Sequence, residues 1–508
     1  MSLVGALSIA SGGLANITRQ LNVISQNVAN AGTPGYAREL TQQQSLAADG
    51  IGMGVRSLPT TRATDEWLTG ETLLQNATVA GLTTQQNALA AIDAVSGTPG
   101  QGNDITAQLG ALQDGFSSLA TSPDNPTAQR QVVSTAQTLA TSLNTLSGAY
   151  ATQRQNAQDA VVSDISTLNT TLSGIGALSD RIVKLRAIGS SSADLENQRD
   201  AAVTNLSQLI NVKSLVQNNG DMILLTSSGL SLPTHNGQAP FAATGSVLAA
   251  SVYYPGGGVP GVTLAGIDVT QQLKGGRIGA NLQLRDNSFP TFQAELDEFS
   301  QNLASRFDAQ GLRLFSDPSG GVPAGGGLPV QTGYVGFAGS IGVNPAVQAN
   351  SALVRDGTAI VLGSAGGASA FTPNPVGGPA GFTTLITRVL DFALGSNAQA
   401  GVPQPASATA GLGPAGSLAA PYAAPTTLSG IAATLTAAQA QASGGVSNHL
   451  ATERAVQTTL NGKLSSETGV SVDTEMSNMI TLQSAYGANA KVISAAESMW
   501  SQLMASVT

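Results

Sequence analysis

The stretch that decides the fold reads, over residues 3–30, LVGALSIASGGLANITRQLNVISQNVAN. Its apolar residues recur at spacings of four and three, without a polar interruption: Leu3, Leu7, Ala10, Leu14, Ile17, Leu21, Ile24 and Val28. This period predicts a long helix with one coiled-coil seam. The helix should end at Asn30, because Gly32, Pro34 and Gly35 follow it. Its other faces are polar but almost uncharged, which favours packing against protein.

A second seam lies at the opposite end of the chain. Its members are Val472, Met479, Leu482, Tyr486, Ile493, Ala496, Trp500 and Leu503. Ser471 is the expected N-cap, and Asp473 and Glu475 place carboxylates where the helix dipole favours them. The two seams can pair with each other. The simpler alternative is that both are core helices of an ordinary globular domain.

Composition limits the classes of function. The 508 residues are enough for about three domains. Net charge of -9, with 10% charged and 4% aromatic residues, argues against nucleic acid and anionic membrane surfaces. The absence of cysteine excludes disulfides, thiolate metal sites and a Cys nucleophile. No stretch has the form of a secretory signal peptide or a membrane span, so no membrane insertion is predicted.

Changes of hydrophobic period divide the rest of the chain. Helical spacing runs through 65–92, 105–119, 127–188 and 195–210, and a strand-like period follows, with an Asn-Gly hairpin turn at 218–221. Residues 316–425 are rich in Gly, Ala, Pro and Ser, which indicates an irregular outer domain or, alternatively, a flexible spacer. The predicted fold class is mainly α with β, combining paired terminal coiled-coil helices, a helical rod domain and inserted β-rich outer domains. The predicted domains are 1–64 with 465–508 (inner axial), 65–212 with 283–310 and 426–464 (rod), 213–282 (β-rich) and 311–425 (outer).

Enzymatic readings have little support. His235 lies in a polar turn and His449 in a polar helix, and no Gly-x-Ser-x-Gly elbow accompanies them. The Gly256-x-Gly258-x-x-Gly261 pattern is interrupted by Pro260 and precedes no helix, so it is interpreted as a loop. The sequence therefore predicts no catalytic, cofactor or metal site.

Three short segments carry a family resemblance. Residues 25–36 (SQNVANAGTPGY) and 476–493 (MSNMITLQSAYGANAKVI) resemble the N- and C-terminal signatures of the bacterial flagellar axial proteins, which form rod, hook and hook-associated structures. Residues 195–212 (LENQRDAAVTNLSQLINV) resemble the helix-to-strand segment of the hook-associated members at the hook-filament junction. Residues 316–425 match nothing in this family.

The resemblance implies a secreted structural component, exported by the flagellar type III route, that joins hook to filament. Implied partners are further copies of itself in a ring or helical array, the hook protein, a second junction protein on the filament side, and a cytoplasmic export chaperone on the C-terminal helix. Hook protein or another axial protein is one alternative. An extracellular adhesin or hydrolase active in 316–425 is another.

The two seams and the turn after the first one supply the expected assembly residues. The alternative for each is a place in a monomer core or, at the turn, a plain helix stop with a packed tyrosine. The predicted interface consists of Leu14, Ile17, Leu21, Ile24, Val28, Asn30, Tyr36, Leu482, Tyr486, Ile493, Trp500 and Leu503.

Overall fold

Long helices dominate the computed structural model, which describes residues 3–48, 51–97 and 102–507. The predicted fold class, mainly α with β, is confirmed. In chain order the helices are α1 (Leu3–Asn30), α2 (Glu66–Ser96), α3 (Ile105–Thr121), α4 (Pro126–Ala187), α5 (Ala193–Leu209), α6 (Gly276–Gln283), α7 (Phe289–Ala309), α8 (Pro345–Ala349), α9 (Leu353–Asp356), α10 (Thr384–Arg388), α11 (Leu428–Thr468) and α12 (Val472–Val507).

The strands are short and pair only with antiparallel neighbours among the described residues. They are β1 (Glu39–Leu40), β2 (Gln43–Ala48), β3 (Ile51–Ser57), β4 (Thr61–Arg62), β5 (Val212–Val216), β6 (Met222–Thr226), β7 (Phe241–Ala242), β8 (Thr263–Leu264), β9 (Ile267–Asp268), β10 (Phe315–Ser316), β11 (Gly342–Val343), β12 (Asn397–Gln399), β13 (Val402–Pro403), β14 (Ala410–Leu412) and β15 (Leu418–Ala419). Each strand pairs within its own small sheet, the largest having three strands, β7-β8-β9.

Helix α4 is the backbone of the rod and runs unbroken for 62 residues. Asn125 caps its first turn, accepting hydrogen bonds from the N–H groups of Thr127 and Ala128, and a proline occupies the first helical position. Lys184 and Arg186 lie in its last turn, where cations complement the helix dipole. The region whose spacing predicts helix over 127–188 is thus one continuous helix.

One hydrophobic core joins the rod to the Gly-rich region. Leu139 on α4 and Phe299 on α7 belong to the same buried cluster as Phe337, Val347 and Leu385. The sequence-based division treats 311–425 as a domain of its own, whereas here its buried side chains complete the core of the rod. The physical reason is that a segment so rich in Gly, Ala and Pro has too few large apolar residues to build a core alone.

Polar side chains of α7 hold the irregular segments in place. Asp297 accepts hydrogen bonds from the N–H groups of Gly336 (2.7 Å) and Ala338 (2.9 Å). Glu298 accepts from the N–H group of Ala408 (2.8 Å), and Arg306 donates to the Thr426 carbonyl (2.8 Å). Backbone groups that no helix or sheet satisfies therefore find partners on one helix. Within the irregular segments, Gln331 donates to the Ala294 carbonyl of α7 (2.6 Å) and accepts from the Gly413 N–H group (2.7 Å), and Tyr334 donates its hydroxyl to Glu298 of α7 (2.7 Å).

A second core lies where α4, α5 and the β5-β6 hairpin meet. Leu168, Leu206 and Leu224 are all fully buried there. The hairpin turn at 218–221 forms as predicted, and Gly220 adopts a positive φ of 93° against Ile182 of α4. The predicted 213–282 domain thus shares its core with the rod helices. The strand-like pattern at 247–254 forms no strand, and Tyr253 makes only isolated bridges there.

Helices α2 and α11 pack against each other in antiparallel directions, and the Gln75 side chain donates a hydrogen bond to the Glu453 carboxylate (2.6 Å). The glycines at 50, 52 and 54, between polar segments, predict an extended connection with a tight turn over 36–65, and this segment forms the β1-β4 and β2-β3 pairs. The Gly-Thr-Pro-Gly sequence at 97–100 predicts a break after α2, and residues 98–100 lie outside the described residues. Within the described part of the chain, no helix combines the length and apolar character that crossing a membrane requires.

Candidate assembly surface

The terminal helices α1 and α12 pack side by side and run in opposite directions. Gly13 of α1 faces α12, since a Cβ added there would lie 3.1 Å from Oδ1 of Asn489. Nearer the start of α1, Leu3 and Leu7 line a largely apolar cleft with Ala496 and Trp500. The predicted pairing of the two seams is therefore present in a single chain.

The predicted interface residues divide into three groups. Ile17 and Ile24 are buried in the seam, and the structure leaves five others half-buried on the two helices: Leu14, Leu21, Val28, Leu482 and Ile493. Tyr486, Trp500 and Leu503 are exposed on α12, with 44%, 49% and 57% of their surface accessible. Asn30 and Tyr36 lie at the turn after α1, where Asn30 donates to the Gln26 carbonyl within its own helix.

Large apolar side chains remain exposed on both sides of the seam. The residues that the seam pattern did not select are Val4 on α1 and Met476, Ile480, Val492, Met499 and Met504 on α12. Their signal was present in the sequence, because four of the seven methionines lie in α12, and methionine is common at adaptable binding surfaces. A large exposed apolar surface on a paired helix marks a protein interaction site.

The extended segment Tyr36–Glu39, which follows the turn after α1 and enters β1 at Glu39, is held by the buried amide of Asn27. The Asn27 side chain donates to the Glu39 carbonyl (2.9 Å) and accepts from the Glu39 N–H group (2.9 Å). Its oxygen also accepts the hydroxyl of Tyr36 (3.1 Å). Only 1% of Asn27 is exposed, so its two bonds to Glu39 form away from solvent, whereas the bond from the half-buried Tyr36 is partly covered. We call Tyr36–Glu39 the joint strand.

Helix α5 binds the joint strand through hydrogen bonds from one of its side chains. The Asn197 amide donates to the Ala37 carbonyl (3.1 Å) and accepts from the Ala37 N–H group (3.2 Å). Arg62 donates to Asn197 (3.0 Å) and forms ion pairs with Glu196 (3.1 Å) and Asp200 (2.7 Å). Two of the three segments that carry the family resemblance, SQNVAN with its following GTPGY and LENQRD, thus converge on four residues.

Burial and charge fix the ionisation states around the joint strand. Burial, with the nearby carboxylates of Glu39 and Asp194, raises the pKa of Tyr36, so its hydroxyl remains a donor to Asn27. Burial would raise the pKa of Glu196, but hydrogen bonds from Ser192 and Arg186 and the charge of Arg62 lower that pKa below its ordinary value. Glu196 is therefore a carboxylate throughout the neutral range and pairs with both arginines.

Replacing Asn27 by alanine should expose the joint strand to exchange. The substitution removes both bonds to Glu39 and leaves buried backbone groups unpaired, at a cost of about 1–3 kcal/mol. We expect the Glu39 amide proton to exchange roughly tenfold to a hundredfold faster in hydrogen-exchange mass spectrometry. Asn22→Ala, at an exposed position on the same helix, is the control, and an equal acceleration in both variants would contradict the assignment.

Comparison with known proteins identifies three segments. Residues 7–36 match the flagella basal body rod protein model, 462–506 match the flagellar basal body rod FlgEFG protein C-terminal model, and 89–317 match the flagellar hook-associated protein FlgK helical domain. Flagellar hook-associated protein 1 of Salmonella typhimurium is 28% identical over 234 residues, covering 44% of this chain and 41% of that protein. The Escherichia coli K12 protein of that name is 25% identical over 316 residues, covering 59% and 56%.

A solved structure of the flagellar hook junction protein FlgK from Burkholderia pseudomallei is 25% identical, with a TM-score of 0.41, covering 50% of this chain and 46% of that one. Paired terminal helices, with segments near both ends that match the rod-protein models, are features that this chain shares with flagellar axial proteins. Within that class, residues 89–317 are similar to the helical domain of the flagellar hook-associated protein FlgK, and the chain is similar to the curated proteins named flagellar hook-associated protein 1. The chain spans about half the length of the curated relatives it matches.

Proposed function

We propose that this protein is a structural component of the bacterial flagellum that joins hook to filament and assembles through its N- and C-terminal helices after type III export. The observation that carries the proposal is the antiparallel α1-α12 pair, whose apolar side chains remain exposed after pairing. Burying one such side chain stabilises an assembly by about 1.5–3 kcal/mol, so several together can hold neighbouring subunits.

The exposed positions favour an array over a closed dimer. Val4 lies near the start of α1, whereas Ile480 and Val492 lie along α12 on different sides of the helix. Contacts between different patches of identical subunits are heterologous and generate rings or helices, which is the symmetry of a tube. Copies of this chain are therefore one proposed partner.

The remaining proposed partners follow from the family. They are the hook protein on one side, a second junction protein on the filament side, and a cytoplasmic export chaperone that covers α12 before assembly. The proposed location is the extracellular hook-filament junction. The family is structural, and the proposal assigns the protein no catalytic role.

Hook protein is the less favoured assignment. The C-terminal signature is shared with rod and hook proteins, but residues 89–317 match the helical domain of the hook-associated protein, and this region contains all of α4. No observation in the described residues favours an adhesin or hydrolase that acts through 316–425.

Electron microscopy of cells lacking the gene tests the proposal. We expect bare hooks, with filament subunits shed into the medium, because export continues while the filament has no foundation. The wild-type gene and Gln483→Asp should restore filaments, whereas Ile480→Asp, which places a charge on the exposed apolar flank of the same helix, should not. Normal filaments in the deletion strain would refute the junction role, and missing hooks would indicate the hook protein.

A further inference from the structure

We propose that the joint strand, Tyr36–Glu39, sets the angle between the terminal helix pair and the rod, and that Asn197 is the positioning residue that transmits the rod's orientation to it. The proposal rests on the proposed function, because the angle matters only if the pair assembles into a tube. It assigns a role to Asn197 beyond stability.

The terminal pair makes most of its contacts within itself and with the adjacent strands. Among the described elements, α12 packs extensively only on α1, and α1 packs mainly on α12, β1 and β3, with Asn16 also donating to Gln43 of β2 (2.6 Å). Neither helix shares a buried core with the rod helices α3, α4 and α7. The direction in which the pair leaves the rod is therefore determined by the short segments that connect them.

The joint strand is the place where these segments meet. Its four consecutive residues are bound in turn by different elements: Tyr36 by Asn27 of α1, Ala37 by Asn197 of α5, Arg38 by the Thr468 carbonyl at the end of α11 (2.7 Å), and Glu39 by Asn27 again. The Arg38 carbonyl also accepts the N–H group of Ala63, just after β4 (2.9 Å). One residue of the strand thus binds α5 while its neighbours bind α1, α11 and the chain beyond β4.

The bonds made by Asn197 are directional. An amide that both donates to and accepts from one backbone residue fixes that residue in position and in rotation, unlike an apolar contact, which tolerates sliding. Asn197 is 5% exposed, and Arg62 in turn holds its oxygen, so the amide cannot exchange these partners for water. In a helical array every subunit repeats the same angle, and small angular errors accumulate along the assembly.

Because the sequence contains no cysteine, two introduced cysteines can carry spin labels, and the distance between the labels reports the angle across the joint strand. Spin labels on Asn22→Cys of α1 and Ser166→Cys of α4, both exposed positions, span the joint in the full-length protein. Double electron-electron resonance should give one narrow distance distribution, and adding Asn197→Ala should broaden it. In the deletion strain, unlabelled Asn197→Ala should be incorporated into flagella at roughly one tenth of the wild-type level or less.

Asn169→Ala is a matched control. Asn169 of α4 makes the same pair of bonds, donating to the Phe241 carbonyl (2.8 Å) and accepting from its N–H group (2.9 Å), but away from the joint. A comparable loss of thermal stability in both variants, with broadening and poor incorporation only for Asn197→Ala, supports the proposal. An unchanged distance distribution for Asn197→Ala overturns the proposal. Normal incorporation of Asn197→Ala despite a broadened distribution, or equal broadening in Asn169→Ala, also overturns it. Normal filaments in the deletion strain would instead refute the junction role and leave the distance result standing.

Discussion

Replacing Glu295 by glutamine should stabilise the protein, and the gain should grow as the pH rises. Glu295 is 2% exposed on α7, and its Oε1 atom has no hydrogen-bond partner. Burial raises the pKa of this carboxyl group from 4.5 to about 8. Because the folded-state pKa is the higher one, folding favours the protonated acid. The contribution of the protonated Glu295 to the free energy of unfolding is fully present below pH 4.5 and is lost progressively as the pH rises towards 8.

The expected magnitude follows from the same shift. In the unfolded state the carboxyl group has its ordinary pKa of 4.5, which lies about 2.5 units below pH 7. Keeping the group protonated in the fold at pH 7 therefore lowers the free energy of unfolding by roughly 3 kcal/mol relative to acid conditions. Glutamine cannot ionise and avoids that cost. Urea denaturation at pH 5 and pH 8 should therefore show a large increase in midpoint for Glu295→Gln at pH 8 and little change at pH 5.

Glu298→Gln, three residues further along α7, is the control. Its two carboxylate oxygens accept hydrogen bonds from Tyr334 (2.7 Å), Asn302 (2.9 Å) and the Ala408 N–H group (2.8 Å). An amide places a donor where an acceptor is needed, so this variant should be less stable at both pH values. Some pH dependence should remain in Glu295→Gln, because burial also raises the pKa of Asp297 to about 7. Identical midpoints for Glu295→Gln and wild type at pH 8 would show that Glu295 is solvated.

The terminal helices were predictable because their information is local. A period of three and four residues describes one face of a helix without reference to any other part of the chain. The end of α1 at Asn30 and the start of α12 at Val472 both lie within two residues of the helix signals at Gly32 and Ser471. The hairpin at β5-β6 was predictable for the same reason, since an Asn-Gly turn requires the positive φ that Gly220 adopts.

The joint strand could not be predicted, because its partners are remote and follow no period. Arg62 and Asn197 are separated by 135 positions in the sequence, and Asn197 and Ala37 by 160. An amide that pairs with a backbone residue leaves no repeated pattern in the sequence. The family resemblance selected the segments that contain Asn27 and Asn197, but only the fold shows that both amides hold the same strand. Nothing in the sequence marked Arg62.

The shared core was missed for a related reason. Residues 311–425 look poor in apolar residues when they are considered alone, and this predicts a separate irregular domain or a spacer. Val347, Leu385 and Val389 are nevertheless fully buried, because they join one core cluster with apolar residues of α3, α4 and α7. Composition measures what a segment contains and carries no information about what packs against it.

Two glycines of α4, Gly174 and Gly176, should respond to alanine in opposite directions. Space around Gly174 is open, and an added Cβ would meet nothing within 4 Å. Alanine there should stabilise the helix by about 0.5–1 kcal/mol. A Cβ at Gly176 would overlap the carbonyl oxygen of Thr234, which is backbone and cannot rotate away. Relieving this overlap requires the segment that leads into β7 to move, which should cost about 1–3 kcal/mol or more.

The pair forms its own control, since both substitutions are identical and lie two residues apart on one helix. Urea denaturation should move the midpoint up for Gly174→Ala and down for Gly176→Ala. Hydrogen exchange should locate the damage, because Leu232, just before Thr234, donates its N–H to the Leu224 carbonyl (2.9 Å) and should lose protection only in Gly176→Ala. Equal midpoints for the two variants would mean that the loop does not lie against α4. The opposite responses would show that Gly176 is required by close packing, while Gly174 only lowers the helical stability of the rod.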